Sequence, residues 1–431
     1  MRRIYPALAT AGLIVVGMFN TTWGVRFLGR SAWALPDDLW ATMIAAQRLL
    51  QLHVGGLYTP PTGLVSFPGT ALILVPVVAV MDMAGISIHA QSGTDPQPVS
   101  WLLAGPYSMG IACVALFAAD ALAERMGTSE VRRGLLALTG AIALWSVTTR
   151  WGHPEDAVAV GLLLYGILSL DEGRRGRAGW LTGAALLVQP LVVLALPVIL
   201  VAVYASGQGR LRGLPGFCVR AGLPSVLGVG IAAVANWHAT YTAITSQPNF
   251  PGIDHPTPWT SLSPHLAAGA VAAGPGRLLA IGCACACGVA FAFLRGRRAD
   301  ALPWLLWWVA VSLALRCAFE SVMVAYYLWP ALQVALIVAV PRLSRLIMTC
   351  LIAAAVTFGS QAVSHGPWLW WSLMTAGLVA ALLCAWNARP ASAGDLGTHQ
   401  LVISTTLPRL ARDSMIWCAR AACASGSCAC T

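Results

Sequence analysis

The sequence predicts an all-α fold, a polytopic bundle of about 10–12 transmembrane segments that includes one re-entrant helical hairpin. Of the 431 residues, 58% are hydrophobic and only 10% are charged, whereas soluble proteins average roughly 25% charged residues. So few charges cannot cover a soluble protein of this length, but lipid tails solvate apolar side chains. The net charge of +10 is concentrated in short arginine clusters between apolar runs, the pattern that sets orientation in membrane proteins.

The apolar runs are the candidate membrane segments. A helix needs about 20 apolar residues to cross a bilayer. The helices of the shorter runs must therefore extend into flanking residues or tilt. The runs occupy residues 4–24, 64–83, 101–122, 134–149, 157–170, 180–204, 222–237, 278–294, 302–315, 322–340, 346–363 and 368–386.

The arginine clusters orient these segments, because short cytoplasmic loops are enriched in basic residues. The predicted cytoplasmic clusters are Arg2/Arg3, Arg125/Arg132/Arg133, Arg174/Arg175/Arg177, Arg210/Arg212, Arg295/Arg297/Arg298 and Arg342/Arg345. The remaining connections then face outward: 25–63, 150–156, 237–275, 317–321 and 364–367.

The run 180–204 has an arginine cluster at each end, so a single crossing would place one cluster outside. Its centre contains Gln189-Pro190, and proline breaks a helix because it lacks a backbone donor. We therefore predict a re-entrant hairpin with both ends cytoplasmic.

A second conflict concerns 64–122, where two apolar runs separate an outer loop from an inner one. Either 64–83 dips in and returns, or one orientation is wrong.

The chain divides into a membrane domain, 1–387, and a tail, 388–431. The first apolar run follows Arg2 and Arg3 without a clean cleavage site, which indicates an uncleaved first span. The tail is predicted to be a poorly ordered cytoplasmic extension, with a short helix near 401–415.

Most of the twelve cysteines lie in or beside apolar runs, where cysteine acts as a small hydrophobe. No basic stripe interleaved with aromatics occurs, which argues against a nucleic-acid partner.

Asp37 and Asp38 lie in the first outer loop, directly after Pro36. One interpretation is an N-cap for an amphipathic interfacial helix over 39–52, since Asp is a favoured N-cap. The other is a catalytic carboxylate that faces an outer cavity. With two adjacent Asp, both interpretations can hold.

A second polar cluster, 149–156, lies between two apolar runs. It contains Arg150, His153, Glu155 and Asp156, and ionisable groups at bilayer depth are costly unless a cavity uses them. Arg can bind phosphate, and His or Glu can transfer protons. The alternative is a solvated turn with an internal Arg150–Glu155 pair.

The long outer loop, 238–265, combines aromatic residues with Asn249, Asp254 and three histidines. This composition suits sugar recognition, but it also suits an aromatic belt at the membrane interface. The histidines His238, His255 and His265 are too irregularly spaced to predict a metal site. Further along, Arg316 and Glu320 are spaced to pair on one helix, or Arg316 could hold a lipid phosphate.

Taken together, residues 4–345 resemble the GT-C superfamily of membrane glycosyltransferases, and within it the actinobacterial polyprenol-phosphate-mannose-dependent mannosyltransferases. The resemblance rests on Asp37-Asp38 in the first outer loop, followed by 47–50, 56–58 and a proline-rich re-entry. It continues with Gln189-Pro190 in a broken helix and with Tyr326-Tyr327-Leu328-Trp329-Pro330 late in the core.

The resemblance implies a multi-pass plasma-membrane enzyme that moves mannose or a related sugar from a polyprenyl-phosphate donor to a glycan or glycolipid acceptor in the cell envelope. It implies an Asp general base, carried to Asp38 or Asp37 with preference for Asp38. Arg150 and Arg316 are the implied phosphate ligands. No cofactor is assigned, and a divalent cation is left open. The implied substrate-binding residues are Arg150, His153, Glu155, Asp156, Arg316, Tyr58, Gln189, His238, Asp254, His255 and Tyr327.

The sequence departs from this family at two places. Val188 stands where a Lys often precedes the Gln-Pro pair, and 152–156 replaces a more usual Gly-Gln-type segment. Two other functions remain as alternatives: a polytopic transporter or lipid flippase, since broken helices also occur in transporters, and a catalytically inactive scaffold of envelope assembly.

Overall fold

A computed structural model describes residues 3–28, 33, 35–60, 62, 64, 66–88, 97–206, 213–252, 254–295, 301–361 and 368–386. The described chain is mainly helical and contains only two two-residue strands, so the all-α prediction is confirmed. Nearly all of it belongs to one compact unit, Met1–Phe293 with Leu302–Asn387. A second unit, Leu294–Ala301 with Ala388–Thr431, includes the tail, whose predicted disorder and short helix lie outside the described residues.

The helices are α1 Ile4–Leu28, α2 Asp37–Leu50, α3 Pro68–Leu72, α4 Val75–Met83, α5 Pro98–Ala112, α6 Val114–Arg125, α7 Glu130–Trp145, α8 Pro154–Asp171, α9 Arg175–Val188, α10 Leu196–Ala205, α11 Gly213–Ala235, α12 Trp237–Ser246, α13 Pro275–Arg295, α14 Ala301–Phe319, α15 Trp329–Ala339, α16 Leu343–Gly359 and α17 Leu369–Ala385. Short 3₁₀ turns occupy Val54–Gly56, Pro190–Ala195, Thr260–Leu262, Ala267–Gly269 and Ala325–Leu328, and a π-helical turn occupies Ser146–Arg150. Two short strands, β1 His255–Pro256 and β2 Val322–Met323, pair antiparallel.

Within the described residues, four helical segments are long and apolar enough to cross a membrane. They are Pro98–Arg125, which joins α5 and α6, and Gly213–Ala235, Pro275–Leu294 and Leu302–Phe319. Shorter apolar helices accompany them, including Ile4–Met18, Pro190–Ala205 and Leu343–Gly359. Several helices begin with proline, among them α3, α5 and α8. Proline suits the first helical position because its missing N–H would have no intrahelical acceptor there. The chain is therefore a helical membrane protein.

One end of the bundle carries an ion-pair network, which we call the arginine end. The buried carboxylate of Asp120 accepts two bonds from Arg133, both at 2.7 Å, and one from Arg3 at 2.5 Å. Arg125 pairs with Asp171, the last residue of α8, at 2.6 Å. The predicted cytoplasmic clusters around residues 3 and 125–133 thus meet at one end. Since α8 has 18 residues, its opposite end lies about 27 Å away, close to the thickness of a bilayer core.

The predicted hairpin is present in the fold. Helix α9 leaves the arginine end at Arg175 and ends at Val188, where Gln189 is extended with φ of −148°. The chain then returns through Pro190–Ala195 and α10. Arg175 Nε donates to Ser206 Oγ at 3.2 Å, so both ends of the hairpin lie together.

Helices α3 and α4 have 5 and 9 residues, each fewer than a crossing needs, which favours a dip and return of 64–83. They pack with α2 and α5 in a separate apolar cluster that includes Leu39, Leu74 and Trp101. Beyond them, the backbone N–H of Gln97 donates to the carbonyl of Trp33 at 3.0 Å, just before α2. The chain therefore begins α5 beside the start of α2. From there, only α5–α6 continues to the arginine end.

Candidate functional site

At the end of α8 opposite Asp171, three side chains form a chain of hydrogen bonds, which we call the acid–histidine triad. His153 Nε2 lies 3.0 Å from Asp38 Oδ2, and His153 Nδ1 lies 2.6 Å from Glu155 Oε1. The Asp38 side chain is 65% exposed, whereas those of His153 and Glu155 are 11% and 6% exposed. The triad therefore presents one accessible carboxylate supported by two buried groups.

The charge state of His153 follows from this geometry. Burial lowers the pKa of His153, but the adjacent Glu155 and Asp38 carboxylates outweigh burial and raise this pKa well above its usual value. Both ring nitrogens then donate, one to each carboxylate. An imidazolium held between two carboxylates has a fixed ring orientation, so it also fixes the orientation of the Asp38 carboxylate.

Gly152 allows the triad to form. It lies at φ of 72°, and a Cβ at this position would come within 2.7 Å of the Pro36 Cβ and 2.9 Å of the Leu39 Cβ. Only glycine adopts this backbone conformation without strain and permits so close an approach. The preceding π-helical turn, Ser146–Arg150, ends α7 with a local bulge of a kind frequent at functional sites. Together they bring the start of α8 against the first turn of α2.

Asp156 connects the triad to the hairpin. Its carboxylate is fully buried and accepts a 2.5 Å hydrogen bond from Gln189 Nε2 at the break after α9. Its other oxygen lies 3.7 Å from Arg316 Nη1 of α14. The structure therefore brings Gln189, Asp156 and Arg316 together. The turn at 149–156 is not solvated, since the residues His153, Glu155 and Asp156 are all buried.

Aromatic rings cover the cationic groups. Arg316 Cζ lies 3.5 Å above the centre of the Tyr327 ring, and the Tyr326 ring stacks on His153 at 3.9 Å. The alternative pairing of Arg316 with Glu320 is not observed, because Glu320 instead accepts a 2.7 Å bond from Arg277. Arg316 is thus held by a carboxylate and an aromatic face rather than by a neighbour on its own helix.

The pairing of β1 with β2 carries the outer loop to the same region. Burial raises the pKa of Asp254 to about 6, with a further contribution from the negative charge of Asp38 and an opposing one from His153. His255 stacks on Trp370 at 3.7 Å, and burial lowers its pKa to about 4. The loop therefore adds a carboxyl group that titrates close to neutral pH and a neutral histidine.

Four other predicted residues are not members of the triad. Asp37 is exposed in the first turn of α2, and the N-cap of that helix is Pro36, so neither Asp is the N-cap. Arg150 donates to the Gln361 carbonyl at 3.4 Å. Tyr58 donates to the Ser66 carbonyl at 2.9 Å within the re-entry turn. His238 is exposed on α12.

The described residues contain no group of three or more His, Cys, Asp or Glu side chains placed to hold a metal ion. Four contributors were not among the predicted site residues: Gly152, Tyr326, Trp370 and Arg277. Gly152 lies within the predicted polar cluster and Tyr326 lies next to the predicted Tyr327, so both had a local sequence signal. The contacts of Trp370 and Arg277 depend on segments far apart in sequence.

These features define a class: a helical membrane protein with a charged, partly buried network at one end of its bundle. Comparison with models of protein families finds no match to the chain, and comparison with curated proteins finds no matching relative.

Proposed function

We propose that the protein is a membrane glycosyltransferase that transfers a sugar, mannose or a related hexose, from a polyprenyl-phosphate donor to a hydroxyl acceptor at the outer face of the plasma membrane. The observation that carries the proposal is the acid–histidine triad. A carboxylate that is accessible, yet oriented by a buried His–Glu pair, is suited to act as a general base on a hydroxyl group.

Each member of the network has a role in this reaction. Asp38 removes the proton of the acceptor hydroxyl, and His153 with Glu155 holds the carboxylate in place. Arg316 supplies positive charge for the phosphate of the donor, while Asp156 and Gln189 position Arg316 and the hairpin. Asp254, His255 and Tyr327 lie around the same region and are assigned to sugar binding.

The transfer reaction needs no reactant besides the donor and the acceptor. The acceptor oxygen forms a bond to the anomeric carbon as the bond from that carbon to the phosphate oxygen breaks. The proton of the acceptor passes to Asp38, and polyprenyl phosphate leaves with the bonding electron pair as an anion. Attack from the face opposite the leaving group inverts the anomeric configuration.

The test is a transfer assay on the purified protein in nanodiscs, with radiolabelled polyprenyl-phosphate sugars and a membrane glycolipid fraction as acceptor. Asp38→Asn should lower kcat by roughly 10²–10⁴, the usual contribution of a general base. Asp82→Asn, an exposed carboxylate on α4, serves as the matched control and should retain full activity.

Three results would overturn the proposal or its assignment. No transfer from any polyprenyl-phosphate sugar would remove the transferase function. Full activity of Asp38→Asn, with loss in Asp37→Asn, would move the base to Asp37. Lipid flipping by the purified protein, unaffected by either substitution, would favour the transporter alternative instead.

A further inference from the structure

The base of the hairpin formed by α9 and α10 belongs to a stretch of chain that is cationic and has no acidic residue of its own. Residues 173–253 contain six arginines and neither Asp nor Glu. Elsewhere at the arginine end, guanidinium groups are neutralised within the protein, as Arg133 is by Asp120 and Arg125 is by Asp171. The arginines at the base of the hairpin therefore differ from their neighbours in lacking a nearby counter-charge in sequence.

Two of these arginines, Arg175 and Arg220, lie at the junction of α9 and α11. An added Cβ at Gly213 would lie 3.1 Å from Arg175 Nη1, and one at Gly216 would lie 3.0 Å from Arg220 Nη1. Residues three apart on a helix are neighbours, with roughly 5–6 Å between their Cβ atoms. The two guanidinium groups therefore lie near each other at the start of α11.

Both arginines are half-buried, and their observed acceptors are neutral. Arg175 Nε donates to Ser206 Oγ at 3.2 Å, and Arg220 Nη1 donates to the Gly216 carbonyl at 2.8 Å. Neither side chain forms an ion pair with a carboxylate of the residues that the structure describes. A guanidinium group has five N–H donors, so each arginine retains donors for an anion, and phosphate matches the geometry of this group.

Exposed apolar side chains continue from these arginines along the same helices. On α11, Val219 is 62% exposed and Leu223 is 37% exposed, beside and one turn beyond Arg220. On α10, Tyr204 is 39% exposed and lies two residues before Ser206, and tyrosine is enriched at membrane–water interfaces. A ligand with a phosphate and hydrocarbon chains would contact both kinds of surface, whereas free phosphate would contact the arginines alone.

We propose that Arg175 and Arg220 bind the phosphate of an anionic phospholipid in the leaflet at the arginine end, which is the predicted cytoplasmic leaflet. Anionic lipids of that leaflet attract arginines that lie close to the membrane surface. The two guanidinium groups neutralise the phosphate, and the acyl chains lie along the exposed face of α11. The lipid thus links the two arms of the hairpin to α11. This site lies at the opposite end of the bundle from the triad and is independent of the proposed function.

The test measures equilibrium binding of radiolabelled phospholipids to the full-length protein, immobilised in detergent. The probes are phosphatidylglycerol and phosphatidylcholine with the same acyl chains, and we expect phosphatidylglycerol to bind more tightly. Arg175→Gln and Arg220→Gln should each weaken its binding about fivefold and leave binding of phosphatidylcholine unchanged. Arg220→Lys keeps the charge and should retain most of the affinity.

Arg125→Gln is the matched control, because it removes one positive charge at the same end from a guanidinium that already pairs with Asp171. An equal loss in this variant would show a general effect of surface charge and reject the site. Equal affinity for the two lipids would also reject it, and full displacement of phosphatidylglycerol by inorganic phosphate would assign the arginines to free phosphate instead. The stem of Arg220 packs on Gly179, so Arg175→Gln decides the result if Arg220→Gln does not fold.

Discussion

Gly152 shows how a single residue positions the proposed base. Two separate constraints act at this position. Its φ is 72°, and an added Cβ would lie 2.7 Å from the Pro36 Cβ. Gly173 provides a comparison, because it has a φ of 77° but no atom within 4 Å of an added Cβ. The two glycines therefore separate backbone strain from steric conflict.

We predict that Gly152→Ala destabilises the protein by roughly 2–4 kcal/mol, from strain at positive φ plus overpacking against α2. Gly173→Ala should cost only about 1 kcal/mol, from positive φ alone. Thermal unfolding in detergent measures both. Equal effects of the two substitutions would show that close contact between Gly152 and α2 does not matter for stability.

Asp254 determines a pH dependence of stability. Its folded-state pKa of about 6 is raised above the usual value for Asp, so the folded protein binds the proton more tightly than the unfolded chain. The neutral form is therefore favoured at low pH, and stability falls as the pH rises from about 4 to 6. Above that range the whole destabilising effect of the buried charge is present.

Asp254→Asn should consequently stabilise the protein, by on the order of 2 kcal/mol at pH 8 and by less at pH 5. The measurement is the free energy of unfolding of wild type and variant at the two pH values. A gain that is the same at both pH values, or a loss at pH 8, would contradict the raised pKa.

At the scale of elements, the hairpin of α9 and α10 is the feature that the sequence anticipated best. Pro190 and the two flanking arginine clusters were sufficient to predict its break and its return. What the apex touches was less predictable, because the partner of Gln189 is Asp156, on another helix. A broken helix needs such contacts, since the freed backbone groups must be covered.

The arginine end ties α1, α6 and α7 together through Asp120. Its side chain is 1% exposed and that of Arg133 is 8% exposed, whereas Asp171 and Arg125 are 25% and 54% exposed. Removal of one partner from a buried ion pair leaves an uncompensated charge, while exposed pairs contribute little.

We therefore predict that Asp120→Asn lowers the free energy of unfolding by roughly 3–5 kcal/mol. Asp171→Asn, the matched control at the same end, should change it by less than about 1 kcal/mol. Both values are obtained from chemical unfolding in detergent, and comparable effects of the two variants would argue against a structural role for the Asp120 network.

At the scale of the whole molecule, charge is divided between two ends. The arginine end holds described residues of several predicted cytoplasmic clusters, among them Arg3, Arg125, Arg133 and Arg175, and the triad lies at the other end of α8. Two exposed residues report on these ends: Leu52, which follows α2 and is 84% exposed, and Val131, near the start of α7 and 77% exposed.

We predict that Leu52→Cys is labelled by a membrane-impermeant maleimide added to intact cells, whereas Val131→Cys is labelled only after permeabilisation. The background for both variants has its accessible natural cysteines replaced by serine. The reverse pattern would put Asp38 on the cytoplasmic side, away from an outer-leaflet donor.

The sequence by itself determined that the protein is a helical membrane protein, and it predicted the hairpin around Gln189-Pro190. These follow from local properties, namely apolar length, proline position and the distribution of charge. The predicted N-cap role of Asp37 or Asp38 and the pairing of Arg316 with Glu320 were wrong, because both assumed partners nearby in sequence.

Only the tertiary structure decided which charged groups meet. Asp38 contacts His153, Asp156 contacts Gln189 and lies beside Arg316, and Tyr326 covers the imidazole ring. Most of these contacts join segments that are distant in the chain, whereas the contact between Asp156 and Gln189 joins the consecutive helices α8 and α9. In a medium that cannot solvate charge, every buried ionisable group must find a partner across the bundle, and the packing of the helices determines which partner it finds.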